Sequence, residues 1–258
     1  LYCNSNQLTS LNVSQNTGLS YLGCDSNSLN SLDVSQNTAL NQLYCNFNQL
    51  TSLDVSQNTA LTDFWCNGNQ LTELDISNNN ALKELIFGDN QITAIDLSHL
   101  SALTSLDCYL NELTSLDVSG CIALTQLHCG SNQLTSLDVR NGNNTNLTDF
   151  NAYSNPDLNC ISADDATWAT ANWTNIDAHM SFSENCDAKT YVPDDNFEAY
   201  LETHDASGNT VSLGDPTSMG DGIANNDSVL TANISGQTVL SVSNQNISDM
   251  TGIEDFIS

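Results

Sequence analysis

The sequence predicts a β-rich solenoid in which short parallel strands stack coil upon coil, with small helical caps. Two observations carry this prediction. Apolar, Cys and Asn residues recur with one period of 21 residues, and each period consists of two similar halves that alternate apolar and polar residues. The chain has 258 residues, which gives room for one or two domains.

Three columns of residues define the repeat. The Cys column consists of Cys3, Cys24, Cys45, Cys66, Cys108 and Cys129, with Phe87 in the remaining position. The Leu column consists of Leu1, Leu22, Leu43, Phe64, Leu85, Leu106 and Leu127. The Asn column consists of Asn6, Asn27, Asn48, Asn69, Asn90, Asn111 and Asn132. Together they give the leucine-rich repeat pattern with Cys in its third apolar position.

Each unit repeats its own spacing, since Leu29, Leu32, Val34 and Asn37 follow the first half at the same intervals. We therefore expect two short parallel strands per coil, one on each side of a flattened solenoid. The Asn side chains should turn inward and bond the turn backbones of neighbouring coils, because those backbone groups would otherwise be buried and unpaired.

These columns resemble those of bacterial secreted and cell-surface leucine-rich repeat proteins of the 21-residue, Cys-ladder type, which include internalin J-like proteins and surface proteins of flavobacteria. The resemblance covers nearly the whole chain. It implies a right-handed leucine-rich repeat coil and a role in adhesion outside the cell.

Breaks in the regularity predict four segments: a leucine-rich repeat array over 1–149, a C-terminal cap over 150–186, the N-terminal cap of a following array over 187–239, and its first coil over 240–258. The chain is therefore expected to be part of a longer protein that alternates arrays and caps, or a protomer that stacks head-to-tail.

The C-terminal cap is expected to contain a helix that starts at Ser162, with Asp165 as its capping-box partner. Cys160 and Cys186 bracket this helix and lie off the 21-residue period, so we predict a disulfide between them. In the following cap, residues 192–201 predict an amphipathic helix that places Phe197, Tyr200 and Leu201 on one face.

The charge of the chain excludes several classes of partner. With 31 Asp and Glu against 3 Lys and Arg, the formal charge is -28, which leaves nothing to neutralise the phosphates of a nucleic acid or an anionic membrane. Membrane insertion is not expected either, because no stretch approaches the ~18–20 apolar residues of a spanning helix.

Two columns invite a metal interpretation. The 21-residue spacing of the Cys column is unlike that of zinc sites, and buried thiols that act as small apolar residues are the favoured interpretation. Cys121 is expected to be a lone thiol.

A second column consists of outward carboxylates. It is interpreted as a solvated ladder supported by hydroxyl groups, and the alternatives are weak divalent-cation binding and ice binding. Its members are Asp33, Asp54, Asp75, Asp96, Asp117 and Asp138.

A candidate calcium site lies in the Gly-, Asp- and Asn-rich loop over 205–227. Its oxygen ligands would come from Asp205, Asn209, Asp221, Asn225 and Asp227. The order of these residues departs from that of an EF-hand, and a simple polar loop is the alternative. No other cofactor is expected.

The outward positions of the first strands vary, and they collect nearly every aromatic residue that is not part of the core. Variable aromatic surface on a regular scaffold is typical of a binding face, and rings flanked by Asn and Asp suit sugar stacking or a protein partner. The predicted face consists of Tyr2, Tyr21, Tyr44, Phe47, Trp65, Ile86, Tyr109, Leu110, His128 and Tyr153.

The sequence gives little support for catalysis, since its four His residues are far apart and no nucleophile motif is present. We expect an extracellular module, secreted or on the cell surface, that binds a glycan or a protein on another surface. The off-period Cys pair, the resemblance and the scarcity of Lys favour this location. A structural spacer or a head-to-tail stalk without a ligand of its own is the alternative.

Overall fold

A computed structural model shows stacked coils whose strands run parallel, which confirms the predicted β-solenoid. It describes residues 1–186, 189–224, 226, 228–234, 240–253 and 256. In chain order, the strands of the array are β1 Tyr21–Gly23, β2 Gln42–Tyr44, β3 Asp63–Trp65, β4 Glu84–Ile86, β5 Ser105–Asp107, β6 Ser115–Asp117, β7 Gln126–His128, β8 Ser136–Asp138 and β9 Asp149–Asn151. The following elements are β10 Cys160–Ser162, α1 Ala166–Asn172, β11 Ser181–Ser183, β12 Lys189–Tyr191, α2 Asp195–Glu202, β13 Ser228–Leu230 and α3 Thr231–Ile234.

The first halves of the coils form one parallel sheet of seven strands in the order β1-β2-β3-β4-β5-β7-β9. Each strand has three residues, and its middle residue points into the core; it is a member of the Leu column in the first six strands and Phe150 in β9. The middle residues pair in register from coil to coil, as Leu22 does with Leu43 and Leu43 with Phe64. The residues on either side of each middle residue therefore point outward.

The second halves form a regular sheet only near the C-terminal cap. That sheet has four strands in the order β11-β10-β8-β6, so the prediction of a second strand in every coil is wrong for the earlier coils. The triplet Ser-Leu-Asp lies outside any strand at 31–33 but forms β6 at 115–117. Because the two triplets are identical, the neighbouring coils rather than the local sequence decide whether a strand forms.

Asparagine side chains join successive coils, as predicted. The Nδ2 atom of Asn48 donates to the carbonyl oxygens of Cys24 and Cys45, each at 3.1 Å, and its Oδ1 accepts the N–H of Leu29 at 3.0 Å. Each buried amide thus satisfies the backbone of its own coil and of the preceding coil.

A second inward Asn column follows the second halves, at Asn37, Asn58 and Asn79. The next position in this column is Leu100, which has no amide to donate. His99 compensates, because its Nε2 lies 3.1 Å from the carbonyl oxygen of Ile76, the group that an Asn at position 100 would reach.

The C-terminal cap covers the apolar end of the array. The Phe150 ring stacks on Trp173, with centroids 4.5 Å apart, and Trp173 follows α1. The N-cap of α1 is Asp165, whose side chain accepts the N–H of Trp168, and not Ser162 as predicted. Ser162 is instead held in β10, where it pairs with Asp138 of β8.

The predicted disulfide between Cys160 and Cys186 is present, with Cα atoms 5.8 Å apart. The predicted boundary between residues 149 and 150 falls inside β9, because Phe150 pairs with Leu127 and continues the sheet of the array. The start of the next segment, at Asp187, lies outside the described residues.

The last part of the chain forms a second apolar core around α2. Phe197, Tyr200 and Leu201 are buried on one face of this helix, as predicted. Asp194 caps the helix through the N–H groups of Asn196 and Phe197, and its other oxygen accepts the N–H and hydroxyl of Ser248. The helix is thereby joined to Ser248, which belongs to the predicted first coil of the following array.

Candidate binding face

The first-half sheet places the predicted aromatic residues on its outward side. Tyr44 and Trp65 occupy the last positions of β2 and β3 and are paired in register, and Ile86 pairs with Trp65 in the same way. Periodicity alone fixes this arrangement, because residues one period apart occupy the same position in adjacent strands.

Four rings form a continuous row across the first coils, which we call the aromatic ladder. The ring centroids of Tyr2 and Tyr21 are 4.3 Å apart, those of Tyr21 and Tyr44 are 5.3 Å apart in an edge-to-face arrangement, and those of Tyr44 and Trp65 are 4.5 Å apart. These separations lie in or close to the range of favourable aromatic pairs. The ladder is therefore a preformed apolar surface, of which Tyr2 is 74% exposed.

Two bulky residues extend the face from strained turn positions. Phe47 and Leu110 have φ angles of 52° and 57°, in the left-handed region that bulky residues rarely adopt. The same turn position is occupied by Gly68 and Asp89 in the intervening coils. Phe47 is 56% exposed and Leu110 is 45% exposed, so neither residue is placed there by burial in the core. Backbone strain of this kind is often retained at functional sites.

The other predicted residues form a second cluster at the C-terminal end of the sheet. Tyr109 and Tyr153 are exposed on either side of Gly130. His128 lies between two carboxylates, with Nε2 2.9 Å from Asp149 Oδ1 and Nδ1 3.8 Å from Asp107 Oδ2. On the sheet itself, the strand that carries Asp107 separates Ile86 from His128, and Tyr109 and Leu110 directly follow that strand.

Sequence reasoning missed two carboxylates beside the ladder, Asp63 and Glu84. They begin β3 and β4 and are paired in register, two residues before Trp65 and Ile86 respectively. The signal was available, since both residues keep the 21-residue spacing from Gln42. Burial raises the pKa of Tyr44 to about 12, and the charges of Asp63 and Glu84 add to this shift.

The two columns that invited a metal interpretation have different surroundings: the thiols lie in the core, and the carboxylates accept local hydrogen bonds. Cys24, Cys45, Cys66, Cys108 and Cys129 are fully buried free thiols, and burial raises the pKa of each. Cys121 is also free and buried. In the outward column each carboxylate accepts the N–H two residues ahead, as Asp54 does from Ser56 at 2.9 Å. Hydrogen bonds from the side chain and then the backbone of Ser56 lower the pKa of Asp54.

The candidate calcium site stays a prediction. Asp205 accepts hydrogen bonds from the backbone and side chain of Asn209, and Asp221 accepts the side chain of Asn226. Asn225 and Asp227 lie outside the described residues. Within the described part of the chain, no three His, Cys, Asp or Glu side chains are grouped to hold a metal ion.

The fold and the buried Cys column define a leucine-rich repeat protein of the cysteine-ladder type. The chain is similar to the functional domain of InlJ from Listeria monocytogenes, which includes a cysteine ladder; the identity is 42% and the TM-score 0.58, over 63% of this chain and 38% of that chain. It is also similar to the internalin InlF of the same species, at 25% identity and a TM-score of 0.53, over 70% and 59% of the two chains.

A leucine-rich repeat protein of Leptospira interrogans shares the fold at 21% identity and a TM-score of 0.52, over 67% of this chain and 57% of that one. The chain thus spans less than two thirds of the length of each of these proteins. No protein-family profile and no curated protein sequence matches it. None of the helices in the described ranges is long and apolar enough to cross a membrane.

Proposed function

We propose that this chain is an extracellular binding module, part of a larger cell-surface or secreted protein, that recognises its ligand with the outward side of the first-half sheet. The observation that carries the proposal is the aromatic ladder. Four contiguous rings on the outward side of a rigid sheet form a surface suited to a partner, because apolar area of this kind gains free energy when it is covered.

Similarity to InlJ and InlF supports a surface location and a role in adhesion. The chemistry of the face supports binding rather than catalysis. His128 is bracketed by Asp107 and Asp149, but among the described residues no Ser, Thr or Cys side chain hydrogen-bonds to it as a nucleophile would. A rigid sheet that presents rings without such a group is suited to recognition.

The test compares binding of the wild-type chain and of a Tyr44→Ala/Trp65→Ala variant to a panel of glycans and cell surfaces. We expect the variant to lose most of the binding, since both residues belong to the ladder. The control is Gln36→Ala/Gln57→Ala, which removes two exposed side chains from the second-half side of the coil that carries Tyr44 and of the coil before it. Equal binding by all three proteins would contradict the proposal and favour a spacer or stalk.

A further inference from the structure

Two rings of the aromatic ladder lie beside two carboxylates. We call this group, formed by Asp63, Glu84, Tyr44 and Trp65, the carboxylate–aromatic patch. Asp63 and Glu84 begin adjacent strands in register, and Tyr44 and Trp65 end adjacent strands in register. The patch thus presents two carboxylates and two rings within three neighbouring strands. Each of these residues is half-buried, so the patch is part of the sheet surface.

Neither carboxylate forms an ion pair with a described residue, although Lys83 directly precedes Glu84 in the sequence. In-register residues of adjacent strands lie ~4.8 Å apart, at which like charges oppose each other. Asp63 accepts hydrogen bonds from Gln42 at 3.3 Å and Thr62 at 2.5 Å, whereas Glu84 accepts none from the described residues. The ion pairs of the described residues involve His128 and Arg140, and neither lies at this patch.

An ammonium or guanidinium group suits both the two carboxylates and the two rings of the patch. A cation over the face of Trp or Tyr is attracted by the ring, and the same cation relieves the repulsion between paired carboxylates. A neutral sugar would leave the repulsion in place, and an anionic sugar would add to it. The carboxylate of Asp25 adds to the negative potential felt at the Tyr44 hydroxyl.

We propose that the carboxylate–aromatic patch binds Lys or Arg side chains of an extended, basic protein segment, which names the ligand class of the function proposed above and rests on it. From Tyr2 to Ile86 the face crosses four strand spacings, or roughly 19 Å. An extended chain covers this distance in about six residues. Such a segment lies across the strands, with its cationic side chains on the patch and its remaining side chains along the ladder.

The experiment titrates a peptide of about ten residues, with Lys and Ser in alternation, onto the whole chain by calorimetry at about 0.15 M salt. We expect Asp63→Asn/Glu84→Gln to weaken binding by about tenfold, and Trp65→Ala to do the same. The matched control is Asp54→Asn/Asp75→Asn, which removes two charges from the other side. Asn is tolerated there, because Asn12 accepts the N–H of Ser14 at the same position of the first coil.

The control should weaken binding by less than about twofold. Equal weakening by both double variants would overturn the proposal, because it would reveal general attraction to an acidic protein. Absence of peptide binding, or a neutral oligosaccharide whose affinity for the ladder survives Asp63→Asn/Glu84→Gln, would also overturn it. Either result leaves the proposed function standing as long as Tyr44→Ala/Trp65→Ala abolishes binding to the surface panel, so the two failures are distinguishable.

Discussion

The ring of Tyr21 lies over the backbone of Gly23. A Cβ atom at Gly23 would come within 2.9 Å of the Tyr21 hydroxyl oxygen and within 3.1 Å of its Cε1 atom. Gly23 occupies the column position between Tyr2 and Tyr44, so its missing side chain would leave a gap in the face. Tyr21 comes from the neighbouring outward column and fills that gap, which makes the ladder continuous.

Replacement of Gly23 by Ala should therefore break the ladder at its second ring. The Tyr21 ring must move, but its tip is the flexible end of a side chain, so the free energy of unfolding should change by less than about 1 kcal/mol. Binding should weaken by about threefold to tenfold. The measurement is ligand affinity together with urea unfolding, and Gly18→Ala is the control, since a Cβ atom there meets nothing within 4 Å. Unchanged affinity in Gly23→Ala would show that Tyr21 does not contribute.

Phe47 should contribute to ligand affinity and not to the stability of the fold. Its φ of 52° disfavours a bulky residue, whereas Asn tolerates the left-handed region. Phe47→Asn should therefore keep its free energy of unfolding within about 1 kcal/mol of wild type, or raise it, while ligand affinity falls. Thermal unfolding and titration check the two effects. Ser26→Asn, at the same turn position one coil earlier, is the control for tolerance of Asn; a large loss of stability in Phe47→Asn alone would contradict the expectation.

Asn48 should be among the most sensitive polar positions of the array. Its replacement by Ala leaves the N–H of Leu29 without its partner and removes one of the two Asn donors to each of the carbonyl oxygens of Cys24 and Cys45. We expect a loss of about 2–4 kcal/mol in the free energy of unfolding, measured in urea. The exposed Asn30→Ala variant should lose less than about 0.5 kcal/mol. Equal effects at the two positions would mean that the inward amides do not hold the coils together.

The buried thiols predict a specific pH dependence of stability. Burial raises the pKa of Cys24 and Cys129 to about 12, so the folded chain keeps them protonated where the unfolded chain, with thiol pKa values of about 8.5, ionises them. The contribution of these thiols to the free energy of unfolding is complete below about pH 8. As the pH rises toward 12, each thiol loses about 1.4 kcal/mol of this contribution per pH unit. Urea unfolding at a series of alkaline pH values measures this slope. Replacing Cys24 and Cys129 by Ala should reduce it; the same slope in that variant would assign the loss to other groups.

Much of the fold could be predicted from the sequence, because a period of 21 residues fixes which side chains share a position in neighbouring strands. The Cys, Leu and Asn columns and the outward position of Tyr44 and Trp65 follow from that period alone. The disulfide of the C-terminal cap could be predicted for the opposite reason, since Cys160 and Cys186 depart from the period.

Other features depend on neighbours that the period does not specify. Ser-Leu-Asp forms a strand at 115–117 but not at 31–33, so the missing second-half strands could not be predicted from the local sequence. His99 takes over a hydrogen bond from outside the Asn column, and Tyr21 enters the face from a different column. The Nε1 atom of Trp65 is buried without a hydrogen-bond partner among the described residues. Its position depends on how the side chain packs, which the period does not specify.

We expect the ligand to cover the outward side of the first-half sheet. Hydroxyl-radical footprinting of the chain, free and bound to a surface identified in the panel, tests this directly. We expect protection of Tyr21, Tyr44 and Trp65, with no change at Leu213 and Ile223, which are exposed outside the array. Protection confined to residues off the first-half sheet, while those three rings keep their free-state reactivity, would contradict the claim.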